Sequence, residues 1–569
     1  MCKAVHRVKL EPKFLLLLLK CLLFYTLQPG AKRLQRNTVK GFINERNTMP
    51  NRQKDDLFQL VKSLGKGEKR NFKLYVQRNT ANTELKVIQL FDALDKMDDY
   101  DEAQLLRKNP EITKLQLSNL KASLYRLLLA SLRLLRNDDN IEMQLHEQMD
   151  YARILYNKGL YLQSLKVLDK MKQVAKYYNQ YHYQQLVVVF EKKIEGMYIT
   201  RSMDARADHL ADESEILGKK IASVNGMSNL SLQLYSWYIK HGHARNKEDE
   251  EAIEYYFRAH LPQEAMKKAN GDKNALCFYE KLYLYQSYCW FAFIRQDYLT
   301  YYRYASRWVS IFNDEPQMKQ VENIQYIKGL HNLLGAHYDL RNSKKFFETL
   351  QQFEDFWNTP EVQNNDNYRI QVFLYLYTSK IHKHFLEGTF TEGLKLVPDI
   401  EAKLNEYGLY LDRHRVLIFY YKLACLFFGS GNNARAIDYL NKIINWKMDL
   451  RTDLQCYARL LHLIAHFELG NHDLLAYLVK SVYRFMAKME NLSEVEEAMF
   501  AFLRESFHLS YRDVKPKLQA LHDKLKKYEN NPLEARAFAY LDVVSWLESK
   551  LEGVPVEKVI REKYLKIRG

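Results

Sequence analysis

The stretches GLYLQSL (159–165), QDYLTYY (296–302), GTFTEGL (388–394), GNNARAI (431–437) and GNHDLLA (470–476) share one arrangement. A turn-tolerant residue comes first, an aromatic or polar anchor usually follows two places on, and a helix-facing residue sits at the fifth or sixth place. RNSKKFF (341–347) fits the same scheme loosely. An amphipathic run precedes each stretch and a second one follows, so each stretch predicts the corner of a helical hairpin. Glycine suits the end of the first helix because it enters the left-handed conformation cheaply. The aromatic anchor is expected to pack between the two helices.

From Gln296 to Arg341, Gly388, Gly431 and Gly470 the steps are 45, 47, 43 and 39 residues. The interval from Gly159 to Gln296 is 137 residues, close to three such steps, and Ala252-Ile253, after the acidic run KEDEE (247–251), is the expected place of one missing corner. A two-helix unit recurring at this interval predicts a solenoid, because one hairpin cannot bury its own apolar face. Composition agrees. Among 569 residues there are 20 glycines and 11 prolines, with no proline between Pro110 and Pro262. Proline breaks helices, so that interval suits a run of them. Apolar residues make up 47% and charged residues 27%, which excludes disordered and collagen-like chains. The expected fold class is all-α: an α-solenoid of stacked antiparallel helix pairs with a helical N-terminal region.

YNKGLYLQSL (156–165) and FGSGNNARAI (428–437) resemble the central turn of tetratricopeptide repeats. The likeness extends in scattered pieces over about residues 150–500. It implies stacked antiparallel helix pairs whose concave groove takes a peptide or protein partner. Two features depart from the family: the period exceeds about 34 residues, and the proline late in each repeat is mostly absent. Longer helices account for the first.

The organisation expected is a non-structural extension at 1–48, a helical N-terminal region at 49–140 and the solenoid at 141–569. Residues 1–48 contain ten basic groups against Glu11 and Glu45, which is half of the net charge of +16. FLLLLLKCLLFYTL (14–27) is shorter than a membrane span and is interrupted by Lys20. A signal peptide matches its length but lacks a clean cleavage site, a helical extension is the third alternative, and a true start at Met49 is the preferred reading. Helical patterning begins directly afterwards, with Leu57–Leu64, a break at Gly65-Lys66-Gly67, Glu68–Gln77, Leu85–Met97 and Ile112–Leu135. In the last of these, Leu117, Leu120, Leu124, Leu127, Leu128 and Leu135 form one face.

Cys2, Cys21, Cys277, Cys289, Cys425 and Cys456 show neither a disulfide framework nor a zinc spacing, which favours a reducing, cytoplasmic setting. His462 and His466 are four apart, with His472 beyond the corner, but the glutamate of a His-Glu-x-x-His protease is absent, so packing histidines are expected there and at His241-Gly242-His243. GKGEKR (65–70) lacks the spacing of a phosphate loop and reads as a helix start. Asp95, Asp98, Asp99, Asp101 and Glu102 lack the glycine and glutamate of a calcium loop, and read as a solvated turn with a helix cap. The 41 tyrosines, as in YLTYYRY (298–304), are expected to pack between helices.

No nucleophile motif or dinucleotide fingerprint is present, so no catalytic, cofactor-binding or metal-binding residue is assigned and no small-molecule substrate is inferred. The expected function is a non-catalytic scaffold for a peptide or protein partner, away from membranes. The alternative is a nucleic-acid-associated regulator. Residues 101–136 would supply its helix-turn-helix, with Lys114, Gln116, Ser118, Asn119 and Lys121 facing the duplex.

Overall fold

In the computed structural model the described residues are 55–79, 85–135, 140–197, 206–244, 246–262, 276–408, 410–446, 452–488, 494–506, 509, 511–528 and 542–568. Among them every regular element is helical and no strand occurs. The expected extension at 1–48 lies outside the described residues. The chain divides into two compact units, one ending at Asp139 and the other beginning at Asn140.

The first unit contains the helices Asp56–Ser63, Lys66–Asn79, Leu85–Lys96, Glu102–Lys108 and Lys114–Leu135. Polar caps set their starts. Asp55 accepts from the Phe58 amide at 2.9 Å, and Asp101 accepts from the amides of Ala103 and Gln104. The break at Gly65 is closed by Glu68, whose Oε2 accepts from the Gly65 amide at 2.8 Å. Val61, Phe72, Leu90, Phe91 and Leu94 meet Leu117, Leu124 and Leu128 of the long helix in one core. The expected leucine face ends earlier than its pattern. Ser131 occupies the next buried position, and Leu135 is 45% exposed, because the last turn runs past the helices it would cover.

In the second unit the corners decide the architecture. Gly159, Gln296, Arg341, Gly388, Gly431 and Gly470 all have positive φ, between 53° and 85°. At each of them a first helix ends and a second begins within a few residues, as in Asn323–Asp339 followed by Ser343–Trp357, or Arg413–Gly429 followed by Asn433–Ile444. First helices also stack on one another: Asn323–Asp339 packs on Asp366–Glu387, which packs on Arg413–Gly429, which packs on Thr452–Glu468. Two of the aromatic anchors, Tyr161 and Phe390, pack as expected, whereas His472 at the last corner is exposed. Tyr161 lies 5.4 Å from the ring of Tyr156, and Phe390 lies 5.5 Å from that of Phe385. Tyrosines fill the seams, with Tyr288 stacked on Tyr304 at 4.1 Å.

The interval between Gly159 and Gln296 departs from three equal steps. Ala252-Ile253 is not a corner: both residues lie inside the helix Lys247–His260, which Asn246 caps, and Ile253 is fully buried. Among the described residues of this interval the left-handed ones are Asn179 and Gly242. Between them lie the helices Tyr181–Glu195 and Arg206–His241, the second running for 36 residues, roughly 54 Å. Ala252 and Ile253 looked like a corner because an acidic run precedes them, but acid there complements the N-terminus of their own helix.

The C-terminal helices return to the middle of the stack. Val556–Arg568 packs on Asp366–Glu387, and the Arg561 guanidinium donates to the Glu387 carbonyl at 3.1 Å. Glu557 accepts from both the amide and the hydroxyl of Thr391. In the preceding helix, Val543–Glu552, Trp546 is buried and its indole N–H donates to Glu468 at 2.7 Å. The crossing over the corner leaves no room for a side chain at Gly388, where a Cβ would stand 2.5 Å from the Arg561 amide nitrogen.

Gly388→Ala is therefore expected to lower stability by about 2–4 kcal/mol, combining a left-handed backbone with a backbone clash. Gly431→Ala, where φ is +85° but nothing lies within 4 Å, is expected to cost about 1 kcal/mol. Denaturant midpoints of the two variants check the ordering, and equal losses would count against the crossing.

Candidate functional site

The first helices Asn323–Asp339, Asp366–Glu387 and Arg413–Gly429 carry two cross-helix rows of side chains. In the first row His331 lies ring to ring with Tyr375 at 4.5 Å, and Tyr375 meets Arg415, whose guanidinium carbon is 5.5 Å from the ring centre. The Arg415 Nη2 also donates to the Tyr375 hydroxyl at 3.4 Å. In the second row Tyr338 stacks on His382 at 4.4 Å, and the Lys422 ammonium meets His382 Nε2. Each row runs ring, ring, cation.

The rows follow from the repeat. His331, Tyr375 and Arg415 are separated by 44 and 40 residues, and so are Tyr338, His382 and Lys422. Equivalent places on stacked first helices therefore come side by side. Within each helix the two rows are seven residues apart, two turns or roughly 10 Å. Smaller residues, Gly335, Thr378 and Ile418, lie between the rows and line a cavity of about 230 Å³. Tyr238, Phe293 and Tyr301, from other helices, form its facing wall. Gly335 contributes by having no side chain to fill the space.

The electrostatics of this groove are unusual for a helix surface. Arg415 has a carboxylate partner in Asp412, but that residue is largely exposed at the helix start. Lys328, on the same helix as His331, has its pKa pushed down by burial and by the like charge of Arg415, against the opposing pull of Glu322. Burial, reinforced by Lys422 and Arg415, holds the His331 imidazole down to about 3. It is neutral at pH 7, and its Nδ1 is enclosed without a hydrogen-bond partner. Asp339 is the carboxylate of the cavity lining. Burial raises the pKa of Glu322, at the start of its helix, while Tyr279 donates to it at 2.9 Å.

The positions singled out from the sequence lie elsewhere. Lys121 is turned into its own unit. Its ammonium contacts Asp55 at 2.7 Å and the Tyr100 hydroxyl, and lies 4.4 Å from the centre of the Tyr100 ring. Lys114, Gln116, Ser118 and Asn119 are exposed on the first turns of the same helix, Lys114–Leu135. His462 and His466 face each other, Nε2 to Nε2 at 3.3 Å, and His466 Nδ1 meets the Asn471 amide. His243 holds the Phe293 carbonyl at 2.8 Å. Asp95 pairs with Lys69 at 2.6 Å. Among the described residues no cluster of three or more histidine, cysteine, aspartate or glutamate side chains is placed to hold a metal. No helix among them is long and apolar enough to cross a membrane. The residues of the two rows escaped sequence reading because each is a lone side chain some forty residues from its neighbour. The signal available was their common offset from successive corners.

Comparison of the chain with protein-family models, with curated proteins and with solved structures returns no match.

Two predictions follow from these placements. Lys121→Ala strands the half-buried Asp55 carboxylate, and is expected to destabilise the first unit by about 1–3 kcal/mol, read in thermal unfolding. His337 and His462 are buried, and burial holds each down to about 4. Because the unfolded chain takes up protons below about pH 6.5 and these folded sites do not, the stability they contribute is complete above that pH and is lost as pH falls towards 4. His462→Gln is expected to make the loss between pH 7 and pH 5 smaller by about 2 kcal/mol, measured by denaturant unfolding at both pH values.

Proposed function

We propose that the chain is a non-catalytic interaction scaffold, a divergent tetratricopeptide-like solenoid that takes a peptide or protein partner against its first helices. The observation that carries this reading is the pair of ring–ring–cation rows with a cavity between them, built at equivalent positions of three stacked helices. A stacked-helix groove offers one long, pre-formed surface, and enclosed aromatic and cationic side chains are typical anchors of protein recognition. A cavity of about 230 Å³ suits one inserted side chain better than a whole cofactor. The cytoplasmic assignment belongs to the same reading. Cys289, Cys425 and Cys456 are buried thiols in no disulfide, which fits a compartment that keeps thiols reduced.

The test is site-specific photocrosslinking in the native cells. A photoreactive amino acid replaces Ile418, in the groove, or Lys345, on the exposed face of a second helix. The expected outcome is a nuclease-resistant, stoichiometric protein adduct from position 418 that is absent from 345 and is lost when Gly335→Leu fills the cavity. Adducts of equal yield from both positions, or an adduct removed by nuclease, would overturn the scaffold reading at this surface.

A further inference from the structure

The helices His472–Lys488 and Glu494–Ser506 pack on one another, and neither lines the groove of the first helices. Their seam holds a second pocket, of about 410 Å³. The amphipathic pattern of each helix accounts for its lining. Leu475, Val482 and Met486 face inwards on one helix, and Val495, Met499 and Leu503 on the other. At the edge of those buried faces Val479, Phe500 and the small, half-buried Ala501 give the pocket an apolar lining. Further out, and exposed, stand Lys480, Tyr483 and Arg484 on the first helix, and Glu497 and Arg504 on the second.

Three cations therefore converge on one apolar pocket. Among the described residues, the side chains of Lys480, Arg484 and Arg504 hold no ion pair and no hydrogen bond. Cations in neighbouring helices are matched: Lys517 lies 3.0 Å from Glu505, and Lys550 lies 2.9 Å from Glu468. Glu497, the acid of the lining, is two turns, roughly 10 Å, from Arg504 along one helix face, and pairs with none of the three cations. Like charges gathered round one pocket repel one another and raise its potential for an anion. Arginine suits such a place, because its planar fork meets a carboxylate through two parallel hydrogen bonds. The Tyr483 ring, 47% exposed, is held edge to face by Phe500 at 5.9 Å and offers an inserted side chain a firm wall.

The surroundings limit the length of the anion. Exposed acid lies outside the cations on both helices, at Asp473 on the first and at Glu494 and Glu497 on the second. A nucleic-acid strand would carry its phosphates past those carboxylates, whereas a short acidic stretch presents charge only where the cations are.

We propose that this seam is a second docking surface, for a short acidic segment of a partner protein. One large apolar side chain enters between Tyr483 and Ala501, and carboxylates flanking it meet Lys480, Arg484 and Arg504. The seam shares no residue with the groove beside Gly335, so it stands independently of the reading given to that groove.

The test is selection of displayed random peptides on the full chain, repeated with Ala501→Phe, with Arg484→Glu/Arg504→Glu and with Gly335→Leu, beside binding of an oligouridylate. The expected result is enrichment of Asp or Glu on either side of one large apolar residue, in peptides that bind less tightly as salt rises. Arg484→Gln or Arg504→Gln is expected to weaken a selected peptide about five- to tenfold. Ala501→Phe, which fills the pocket, removes the enrichment, and Gly335→Leu leaves it in place. In the charge-reversal variant the enriched charges switch to Lys and Arg, an outcome an unfolded protein cannot produce. Enrichment without acidic residues, or acidic peptides that bind the Ala501→Phe chain undiminished, would overturn the proposal. Loss of the acidic peptides in Gly335→Leu would place them in the other groove and overturn it too. Oligouridylate binding that Arg484→Gln weakens, with no acidic peptide selected, would replace the protein partner with a nucleic acid.

Discussion

At six corners of the second unit a helix pair turns on one residue held at positive φ, and the rest of the structure depends on those turns. The left-handed residue ends a first helix and returns the chain antiparallel within three or four residues. The two helices are thereby packed along their length, and each first helix lies beside the next. Glycine supplies the conformation at Gly159, Gly388, Gly431 and Gly470, but Gln296 and Arg341 adopt it too. At those two corners the packing of the flanking helices carries the local cost, which for a non-glycine residue is of the order of 1 kcal/mol.

Regular stacking has a chemical consequence. Residues one repeat apart become neighbours across a helix seam, so a single repeated position becomes a row of side chains. His331, Tyr375 and Arg415 form one such row, and Tyr338, His382 and Lys422 another. Because the first helices run side by side, both rows cross the stack in the same direction and end in a cation on the same helix. The groove is thus a product of the repeat rather than an insertion into it. The C-terminal return over Gly388 holds the middle helix of these rows from its corner end, through Arg561 and Glu557.

Much of the fold was legible in the chain. The six corners read from turn residues and spacing are all left-handed, and the scarcity of glycine and proline anticipated an all-helical chain. Local signals failed where two causes produce the same pattern. The acidic run before Ala252 looked like the lead into a corner and is a helix start. The leucine stripe to Leu135 looked like a continuous buried face and outruns its partners. Lys121 looked like a phosphate contact because a basic residue on a helix presents the same letter whether it faces solvent or an Asp55 sixty-six residues away.

The sequence by itself determined most of the helices, six of their corners and the approximate repeat, because capping, backbone preference and amphipathic spacing act over a few residues. Only the tertiary structure decided the groove, the closure of the C-terminal helices on Gly388 and the inward turn of Lys121. Those depend on which helix faces meet, on contacts between residues from about 40 to more than 170 positions apart, and on an electrostatic balance set by burial. A lone histidine, tyrosine or lysine carries no mark of its row until the stacking brings its counterparts alongside.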